Sequence, residues 1–349
     1  MSRKKIKHHI LNNKEKLIDK IMDEQFKLMP ELKAKYNEKE VEKSKSDTSY
    51  NLNYLAQAVL ADEVKIFSNY YNWLHTVLKE RGIGVEILIT HLEAIKNILE
   101  TEFSVEDFEI ISDYLTAAAE SLEKPENHYQ SFITETNDLS KEAEEYFSFL
   151  LDMEREKAVN FILNLVENGI TVEDIYLKIF QPTQYEIGRY WQLNKVSVAQ
   201  EHYATSVTQL AMSQLYPKIF NSFKKGKKAL TTCIGYELHE LGIRMVADLL
   251  ELNGWDTIHL GSNTPPAEIL DIIEEKEINL LALSATLPNE LEEIKNLIKI
   301  IRQNSQLEQL KVMVGGRIFM QSDKLWQKIG ADRFAIDAKE AVKVADSFL

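Results

Sequence analysis

The sequence predicts two helical regions followed by an α/β domain with a doubly wound, parallel, five-stranded sheet. Only 12 glycines and 7 prolines occur among 349 residues, a composition that favours long helices with few breaks. From residue 228 onward, short apolar segments alternate with amphipathic segments, which is the pattern of parallel βα units. At roughly 150 residues per domain, the length suits two or three domains.

The first region, residues 1–134, is predicted to be helical. Its segment 36–50 is polar and is predicted to be a solvated connector or an exposed helix end. Stretches with apolar residues at three- and four-residue intervals follow at 51–82, 85–101 and 105–124. Pro125 is expected to end the last of them.

The second region, residues 135–225, is predicted to be a four-helix bundle. Gly169 suits the C-cap of one helix, and Thr171, followed by acidic residues, suits the start of the next. Pro182 is expected to kink or split that helix. A last helix is predicted near 198–222.

The third region, residues 226–349, is predicted to hold the sheet, after a short basic linker at 224–228. The predicted strands lie in the segments KALTTCIGY, WDTIHLG, INLLALSAT, LKVMVGG and DRFAID. Their nearly continuous apolar character is typical of strands buried on both faces. An amphipathic segment follows each strand, which predicts a Rossmann-like domain.

Charge and cysteine content exclude several classes of protein. With 41 basic and 55 acidic residues the net charge is −14, which disfavours direct binding to nucleic acid or to an anionic membrane. Cys233 is the single cysteine, so neither an internal disulfide nor a multi-cysteine metal site is expected, and a cytoplasmic location fits. The sequence has no secretory leader and no apolar run of membrane-spanning length.

The loop after the first predicted strand contains a candidate metal ligand. Ligands of open α/β sheets bind outside the carboxyl ends of the strands. His239 lies there, and Glu237 is placed to hold one imidazole nitrogen, which leaves the other free for a metal. Gly242 allows close approach to the start of the next helix.

The loops after the third and fourth strands supply small and polar residues at the same edge. Ser284 and Thr286 provide hydroxyls, and Gly315 and Gly316 provide positions without side chains. Each feature alone is typical of an ordinary turn. In combination they predict a deep slot for a large polar ligand.

Residues 228–349 resemble the cobalamin-binding domain, whose pattern is D/E-x-H-x-x-G, then S-x-T/L, then G-G. The resemblance implies that His239 displaces the dimethylbenzimidazole of the cofactor and becomes the lower axial ligand of cobalt. It also implies that the nucleotide tail enters the slot beside Ser284, Thr286, Gly315 and Gly316. Many members have Asp at the acidic position, whereas this chain has Glu237, whose longer arm is expected to reach the imidazole.

The bundle carries a second candidate cluster, Trp191 with Val198, Glu201 and His202. An indole, a carboxylate and an imidazole can enclose a nucleoside by stacking and hydrogen bonding. The alternative is that Trp191 is core and that Glu201 and His202 are a surface pair. The spacing W-x9-EH resembles the helical cap of light-sensing, adenosylcobalamin-dependent repressors of the MerR type, over about 140–349.

This second resemblance implies that Trp191, Val198, Glu201 and His202 form an adenosyl pocket. It further implies that light breaks the cobalt–carbon bond and changes the state of a homo-oligomer. Two departures stand out. Gln192 replaces the histidine that binds cobalt from above after illumination in those repressors, and no winged-helix DNA-binding domain precedes the bundle.

Residues 1–134 resemble the globin-like sensor domains of bacterial stress proteins, and the combination resembles the photocobilins, which bind biliverdin beside cobalamin. The implied bilin pocket consists of Tyr70, Tyr71, Trp73, His75 and His91. The alternative is that this aromatic stripe is helix core. Because Cys233 lies on a strand, a thioether-linked bilin is not expected.

The function predicted first is therefore a non-enzymatic photoreceptor with adenosylcobalamin, and biliverdin as a further chromophore, that signals to an unidentified protein. The alternative is a corrinoid methyl carrier of a methyltransferase system, which would use the same His239. An adaptor that has lost its ligand is a third hypothesis. A mutase is disfavoured because the sequence has no substrate barrel.

Overall fold

Two units make up the polypeptide, a helical unit at residues 1–128 and a unit at 129–349 that combines a helix bundle with an α/β sheet. The computed structural model describes residues 2–124, 129–220 and 223–348. Pro125 lies outside them. Within these ranges, no helix has the length and apolar character that a membrane crossing requires. The boundaries after residues 134 and 225 stay predictions.

The first unit is helical, as its amphipathic pattern predicts. Its helices are α1 (Arg3–Asn12), α2 (Lys14–Leu28), α3 (Pro30–Lys35), α4 (Glu38–Ala61), α5 (Val64–Lys79), α6 (Val85–Glu102) and α7 (Val105–Glu123). Helix α5 packs on α7, α1 on α4, and α2 on α6. Ile21, Leu55 and Phe67 are fully buried in the interior. The globin-like arrangement stays a prediction.

The polar segment 36–50 begins a helix. The side chain of Asn37 accepts from backbone N–H groups of the first turn, and Glu40 accepts from the Asn37 N–H at 2.8 Å, which forms a capping box. The first turns of α4 are largely exposed, so the exposed helix end is confirmed and the connector is wrong. The stretch 51–82 is two helices, because Asp62 adopts a left-handed φ of 56° between them.

The helix bundle occupies the first part of the second unit. Its helices are α8 (Ser140–Leu151), α9 (Arg155–Glu167), α10 (Val172–Asp174), α11 (Gln181–Gln192) and α12 (Val198–Ile219). Gly169 follows α9 with a φ of 96°, and the hydroxyl of Thr171 accepts the N–H of Asp174 at 3.1 Å. Both predicted helix ends are confirmed. The bundle core is apolar and includes Tyr146, Tyr176, Phe180, Ile187 and Met212.

Pro182 does not split its helix. A π-helical segment, Ile175–Phe180, joins α10 to α11 without a break, so the predicted split is wrong. Pro182 has no N–H to donate to the carbonyl four residues earlier, that of Lys178. The side-chain amide of Asn137 donates to this carbonyl at 2.7 Å, so the oxygen keeps a partner.

The predicted sheet is confirmed. Within residues 223–348, the strands β1 (Lys228–Ile234), β2 (Asp256–Thr264), β3 (Leu280–Ser284), β4 (Lys311–Gly315) and β5 (Arg333–Ala335) are all parallel, in the order β2-β1-β3-β4-β5. The alternating helices are α13 (Leu241–Leu252), α14 (Pro266–Lys276), α15 (Leu291–Gln303), α16 (Leu325–Lys328) and α17 (Ala338–Asp346). The central strands β1 and β3 are almost wholly buried, as their apolar sequences predict.

Helix α13 joins the sheet to the bundle. Met245 of α13 belongs to the apolar core of the bundle. The hydroxyl of Tyr176 donates to Asp248 at 2.7 Å, and the amide of Gln209 donates to Glu240 at 3.0 Å. The bundle therefore packs against α13 and is hydrogen-bonded to Asp248 on this helix and to Glu240, the residue after His239.

Candidate functional site

The candidate site lies where the strand order of the sheet reverses. β1 has β2 on one side and β3 on the other, so the loops that leave β1 and β3 diverge at the carboxyl edge. Ligands of doubly wound sheets bind at such a switch point. His239 lies in the loop after β1, and Ser284 and Thr286 lie at the end of β3. The structure thus brings together residues that are more than 40 positions apart in the sequence.

Glu237 holds His239 in a defined orientation. The side chain of Glu237 is fully buried, whereas that of His239 is 60% exposed. One carboxylate oxygen, Oε1, accepts from His239 Nδ1 at 2.5 Å and from the His239 backbone N–H at 2.9 Å. With the proton of a neutral imidazole held on Nδ1, Nε2 keeps the lone pair that binds a metal. The expectation that Glu reaches the imidazole is met.

The same carboxylate joins two loops. Glu237 Oε2 accepts from the backbone N–H groups of Thr286 at 2.6 Å and of Leu287 at 3.2 Å. Burial alone would raise the pKa of Glu237, but the bonds from His239 and Thr286 prevail and lower it to about 2. The hydrogen bond to Glu237 in turn raises the pKa of His239. The carboxylate is therefore ionised throughout the physiological range.

Gly316 serves the packing of the protein itself. It has a φ of 93°, and a Cβ at this position would lie 2.3 Å from the carbonyl oxygen of Ala285 and 2.8 Å from Ser284 Oγ. A Cβ at Gly315 would lie 3.1 Å from the Ala335 carbonyl. The space that a side chain would take at Gly316 is thus filled by the loop after β3.

Gly242 has a different environment. A Cβ at this position would meet no atom within 4 Å. The first turn of α13 therefore has open space beside it, next to the loop that carries His239. This is the expected condition for a bulky ligand that approaches the helix start.

Large apolar side chains are exposed in the segments that follow β1, β4 and β5 at the same sheet edge. Tyr236 and Leu238, which flank Glu237, are 84% and 72% exposed. Met320 follows β4 and is 57% exposed, and Ile336 follows β5 and is 53% exposed. Exposed apolar residues concentrated at one place are typical of a surface that a ligand covers. These side chains fit a ligand with a wide apolar face.

The bundle contributes the predicted cluster near the carboxyl end of α11 and the start of α12. Val198 and His202 are exposed, and Trp191 and Glu201 are half-buried. Glu201 Oε2 lies 3.4 Å from His202 Nε2. The charge of Glu201 also contributes to raising the pKa of His239. Glu201 of the bundle therefore lies near enough to His239 for its charge to act on the imidazole.

Residues that the sequence reading missed support Glu201 from within the bundle. The hydroxyl of Thr205 lies 3.4 Å from Glu201 Oε1 and 3.3 Å from Gln184 Oε1. The amide of Gln184 donates to Thr208 at 2.8 Å, and Thr208 lies 3.0 Å from the hydroxyl of buried Tyr146. The i, i+4, i+7 spacing of Glu201, Thr205 and Thr208 on one helix was the available signal.

The residues of the predicted bilin pocket lie in the first unit. Tyr71 is fully buried, and Tyr70 stacks on Tyr54 with ring centroids 3.9 Å apart. The hydroxyl of Tyr70 donates to Asn51 at 2.7 Å. Trp73 and His75 are half-buried. These contacts are those of helix core for Tyr70 and Tyr71, and the bilin site stays a prediction.

His91 makes separate contacts. Its Nδ1 lies 2.8 Å from Gln25 Oε1, and its Nε2 lies 3.4 Å from the hydroxyl of Thr48. Burial lowers the pKa of His91 to about 4. The imidazole is therefore neutral at pH 7 and is engaged by side chains of α2 and α4.

Comparison with known families agrees with the site at the sheet edge. Residues 227–345 match the family model described as the B12 binding domain, and residues 142–216 match a second B12 binding domain model. The sheet region and the bundle thus each match a B12 binding domain model, and these matches support a cobalamin or corrinoid cofactor. Both matches fall within the second unit.

Similar proteins are corrinoid proteins. The chain is 28% identical over 186 residues to monomethylamine corrinoid protein 1 of Methanosarcina acetivorans, an alignment that covers 52% of this chain and 84% of the relative. It is 30% identical over 114 residues to dimethylamine corrinoid protein 1 of Methanosarcina mazei, covering 32% of this chain and 51% of the relative. The chain thus spans about half the length of this second relative.

A solved structure shares the fold of the second unit. The monomethylamine corrinoid protein of Methanosarcina barkeri matches with a TM-score of 0.55 at 21% sequence identity, covering 60% of this chain and 100% of that chain. At this identity the likeness is one of fold. It agrees with the predicted helical cap joined to a Rossmann-like domain.

Proposed function

We propose that residues 142–345 hold a cobalt corrinoid at the carboxyl edge of the sheet, and that the chain serves as a corrinoid methyl carrier. The observation that carries the proposal is the 2.5 Å hydrogen bond between His239 Nδ1 and the buried carboxylate of Glu237. It leaves Nε2 of an exposed imidazole free, and this nitrogen would bind cobalt. The relatives, which are corrinoid proteins of monomethylamine and dimethylamine by name, support the methyl carrier over light sensing.

The surroundings of His239 fit a corrinoid. Its wide ring would cover the exposed apolar side chains of Tyr236, Leu238, Met320 and Ile336. The open space beside Gly242 gives room for the bulk of the cofactor at the start of α13. Ser284 and Thr286 lie at the adjoining strand end, where the nucleotide tail is proposed to enter.

A bound corrinoid supplies a cobalt centre that takes a methyl group from one partner and gives it to another. The protein's part is to bind and orient. The anionic carboxylate of Glu237 holds a proton on His239 Nδ1 and makes Nε2 a stronger donor. Glu201 of the bundle, whose charge acts on His239, would lie near the bound cofactor. The enzymes that add and remove the methyl group are proposed to be separate proteins. In this proposal the chain carries the methyl group but does not catalyse either transfer by itself.

A second candidate function is a light response with adenosylcobalamin. It is favoured by Glu201, whose charge contributes, after the hydrogen bond to Glu237, to raising the pKa of His239. Glu201 lies near Val198 and His202 at the start of α12, and Trp191 lies at the end of α11. A carboxylate and an indole suit the ribose and base of an adenosyl group. In this case the chain would signal through an oligomer that changes on illumination and through a downstream protein.

The test of the proposed cofactor site is reconstitution with hydroxocobalamin. We expect the wild-type protein to bind it with the dimethylbenzimidazole displaced, which the visible spectrum reports. His239→Ala should lose this spectrum and bind at least tenfold more weakly. His8→Ala, at an exposed histidine of the first unit, is the matched control. An unaltered spectrum in His239→Ala would refute the axial ligand.

The two candidate functions can be distinguished by the upper ligand of the cobalamin that the protein prefers. A methyl carrier should bind methylcobalamin at least as well as adenosylcobalamin, and its elution volume on a sizing column should not depend on light. A photoreceptor should prefer adenosylcobalamin, lose that spectrum under green light, and change its oligomeric size. In that case Trp191→Ala should weaken the adenosyl form selectively.

A further inference from the structure

A second buried glutamate packs against the loop that carries His239. Glu290 ends the short turn Pro288–Glu290 after β3 and is only 5% exposed. The backbone N–H of Tyr236 lies close enough to its carboxylate to favour the ionised form. A Cβ at Gly235 would lie 2.2 Å from Glu290 Oε2. The carboxylate is therefore in direct contact with the peptide that begins the histidine loop.

The contacts of Glu290 and Glu237 are reciprocal. Glu237, in the loop after β1, accepts from the backbone N–H groups of Thr286 and Leu287 in the loop after β3. Glu290, beyond the loop after β3, packs its carboxylate against the backbone at Gly235 and Tyr236 in the loop after β1. Each loop thus sends one carboxylate to the backbone of the other. His239 is three residues from the peptide that Glu290 holds.

Gly235 is adapted to this contact. Its φ of 61° lies in the left-handed region, where glycine carries no penalty. A side chain there would also collide with Glu290. The glycine therefore permits both the turn out of β1 and the approach of the carboxylate.

The burial of Glu290 and the negative charges near it indicate a role other than stabilising the fold. Burial, with the charges of Glu293 and Glu237, raises the pKa of Glu290 to about 7. A carboxyl group with such neighbours disfavours the folded state at neutral pH once it ionises. Acids in such positions are concentrated at functional sites.

We propose that Glu290 is a positioning residue for His239, which fixes the loop 235–240 so that the imidazole meets a corrinoid cobalt without rearrangement. This inference rests on the proposed function. Preorganisation of a ligand raises affinity because less conformational freedom is lost on binding. Glu290 touches neither the imidazole nor the proposed cofactor. Its effect should therefore appear only where His239 coordinates.

The test uses aquacobinamide, a corrinoid without a nucleotide base, so that a nitrogen in the lower position has to come from the protein. Affinity and the fraction of bound cobinamide with a nitrogen-ligated spectrum are measured in the full-length chain. We expect Glu290→Ala to lower affinity roughly five- to tenfold and to lower this fraction, because the backbone at Gly235 and Tyr236 loses the carboxylate packed against it. Glu290→Gln, which keeps length and an acceptor oxygen, should stay within about twofold of wild type.

Two comparisons make the assignment specific. Glu308→Ala, at an exposed glutamate before β4, should leave affinity and spectrum unchanged. In a His239→Ala background, Glu290→Ala should cause no further loss, because its effect passes through the imidazole. Glu290→Asp, which keeps the charge on a shorter arm, serves if the alanine variant does not fold, and it should also lower the nitrogen-ligated fraction.

The outcomes are distinguishable. An equal loss of affinity with and without His239, or a wild-type spectrum in both the Ala and Asp variants, would overturn the role of Glu290 and leave the proposed function standing. A wild-type protein that binds cobinamide without a lower nitrogen ligand would overturn the proposed function, and this inference with it.

Discussion

The hydroxyl of Tyr176 in the bundle donates a 2.7 Å hydrogen bond to the carboxylate of Asp248 on α13. Asp248 is 6% exposed, and its burial raises its pKa to about 6, although the hydrogen bond from Tyr176 and the charge of Arg244 act against this rise. An ionisable group thus lies in the contact between the bundle and the sheet domain. Stability of that contact should depend on pH.

Asp248→Asn should reveal this dependence. The pKa of Asp248 is higher in the folded state than its ordinary 3.8, so its stabilising contribution is complete below pH 4 and is lost as pH rises through 6. The free energy of unfolding of wild type relative to Asp248→Asn should therefore fall by up to about 3 kcal/mol between pH 4 and 7. Urea unfolding over this range measures it. Asp271→Asn, at an exposed position, is the control, and parallel curves for wild type and Asp248→Asn would contradict the prediction.

His91→Gln should make the first unit less sensitive to acid. Burial lowers the pKa of His91 from 6.5 to about 4, so its contribution is complete above pH 6.5 and is lost as pH falls through 4. The loss amounts to about 3 kcal/mol in wild type and should be absent in the variant, which cannot titrate. Helical circular dichroism during urea unfolding at pH 4–7 follows it. An equally steep acid dependence in His91→Gln would assign the effect to other groups.

Glu237→Gln should weaken both folding and cofactor binding. The carboxylate accepts bonds from three backbone N–H groups and from the imidazole, and an amide cannot accept at both ends. We expect a loss of about 2–4 kcal/mol of stability and roughly 10–100-fold weaker binding of hydroxocobalamin. Thermal unfolding and spectral titration measure the two effects. Glu308→Gln serves as control, and wild-type binding by Glu237→Gln would argue against a role in orienting His239.

Gly316→Ala should lower the stability of the protein, whereas Gly242→Ala should weaken cobalamin binding without lowering stability. Gly316→Ala should destabilise by more than about 2 kcal/mol, because its φ is 93° and its Cβ would overlap the Ala285 carbonyl. Gly242→Ala has free space, so it should leave the unfolding temperature unchanged or higher while it weakens cobalamin binding. Gly188→Ala on α11, also without neighbours, should spare binding. Equal affinity in Gly242→Ala and Gly188→Ala would mean that no ligand approaches Gly242.

Asn137 and Pro182 should be energetically coupled. Asn137→Ala removes the donor to the Lys178 carbonyl and should cost about 1 kcal/mol. With Pro182→Ala the backbone N–H returns, so Asn137→Ala should cost less in that background, as a double-mutant cycle in urea would show. Asn168→Ala, which loses a bond at an exposed helix end, is the control. A coupling energy of zero would show that Asn137 and Pro182 act independently.

Much of the fold follows from local sequence pattern. Every predicted strand and its following helix is found, because buried parallel strands and amphipathic helices have distinct periodicities. The errors fall where a side chain replaces a backbone contact. Asn37 caps a helix that starts in a polar segment. Asn137 donates to the Lys178 carbonyl, which Pro182 cannot reach with an N–H. Hydrophobic periodicity predicts neither contact.

The candidate site likewise contains one pairing that the sequence predicts and other contacts that it does not. Glu237 and His239 are two residues apart, so their pairing could be anticipated from sequence. The contacts of Glu290 with Tyr236, and of Gly316 with Ala285, join loops that are distant in the chain. They depend on the strand order of the sheet, which several arrangements of the same βα units could satisfy. The sequence therefore did not predict the contact of Gly316 with Ala285 or the place of Glu290, and the ligand slot beside Gly316 stays a prediction.

The βα alternation, the helices within residues 3–123 and 140–219, and the imidazole with its carboxylate partner follow from the amino-acid sequence, because each depends on neighbours a few positions away. The packing of the folded chain brings the charge of Glu201 near His239 and places Glu237 and Glu290 against the backbone of each other's loop. The physical reason is that such relationships arise from how separate layers pack, and packing is set by the sum of many distant contacts that no local pattern encodes.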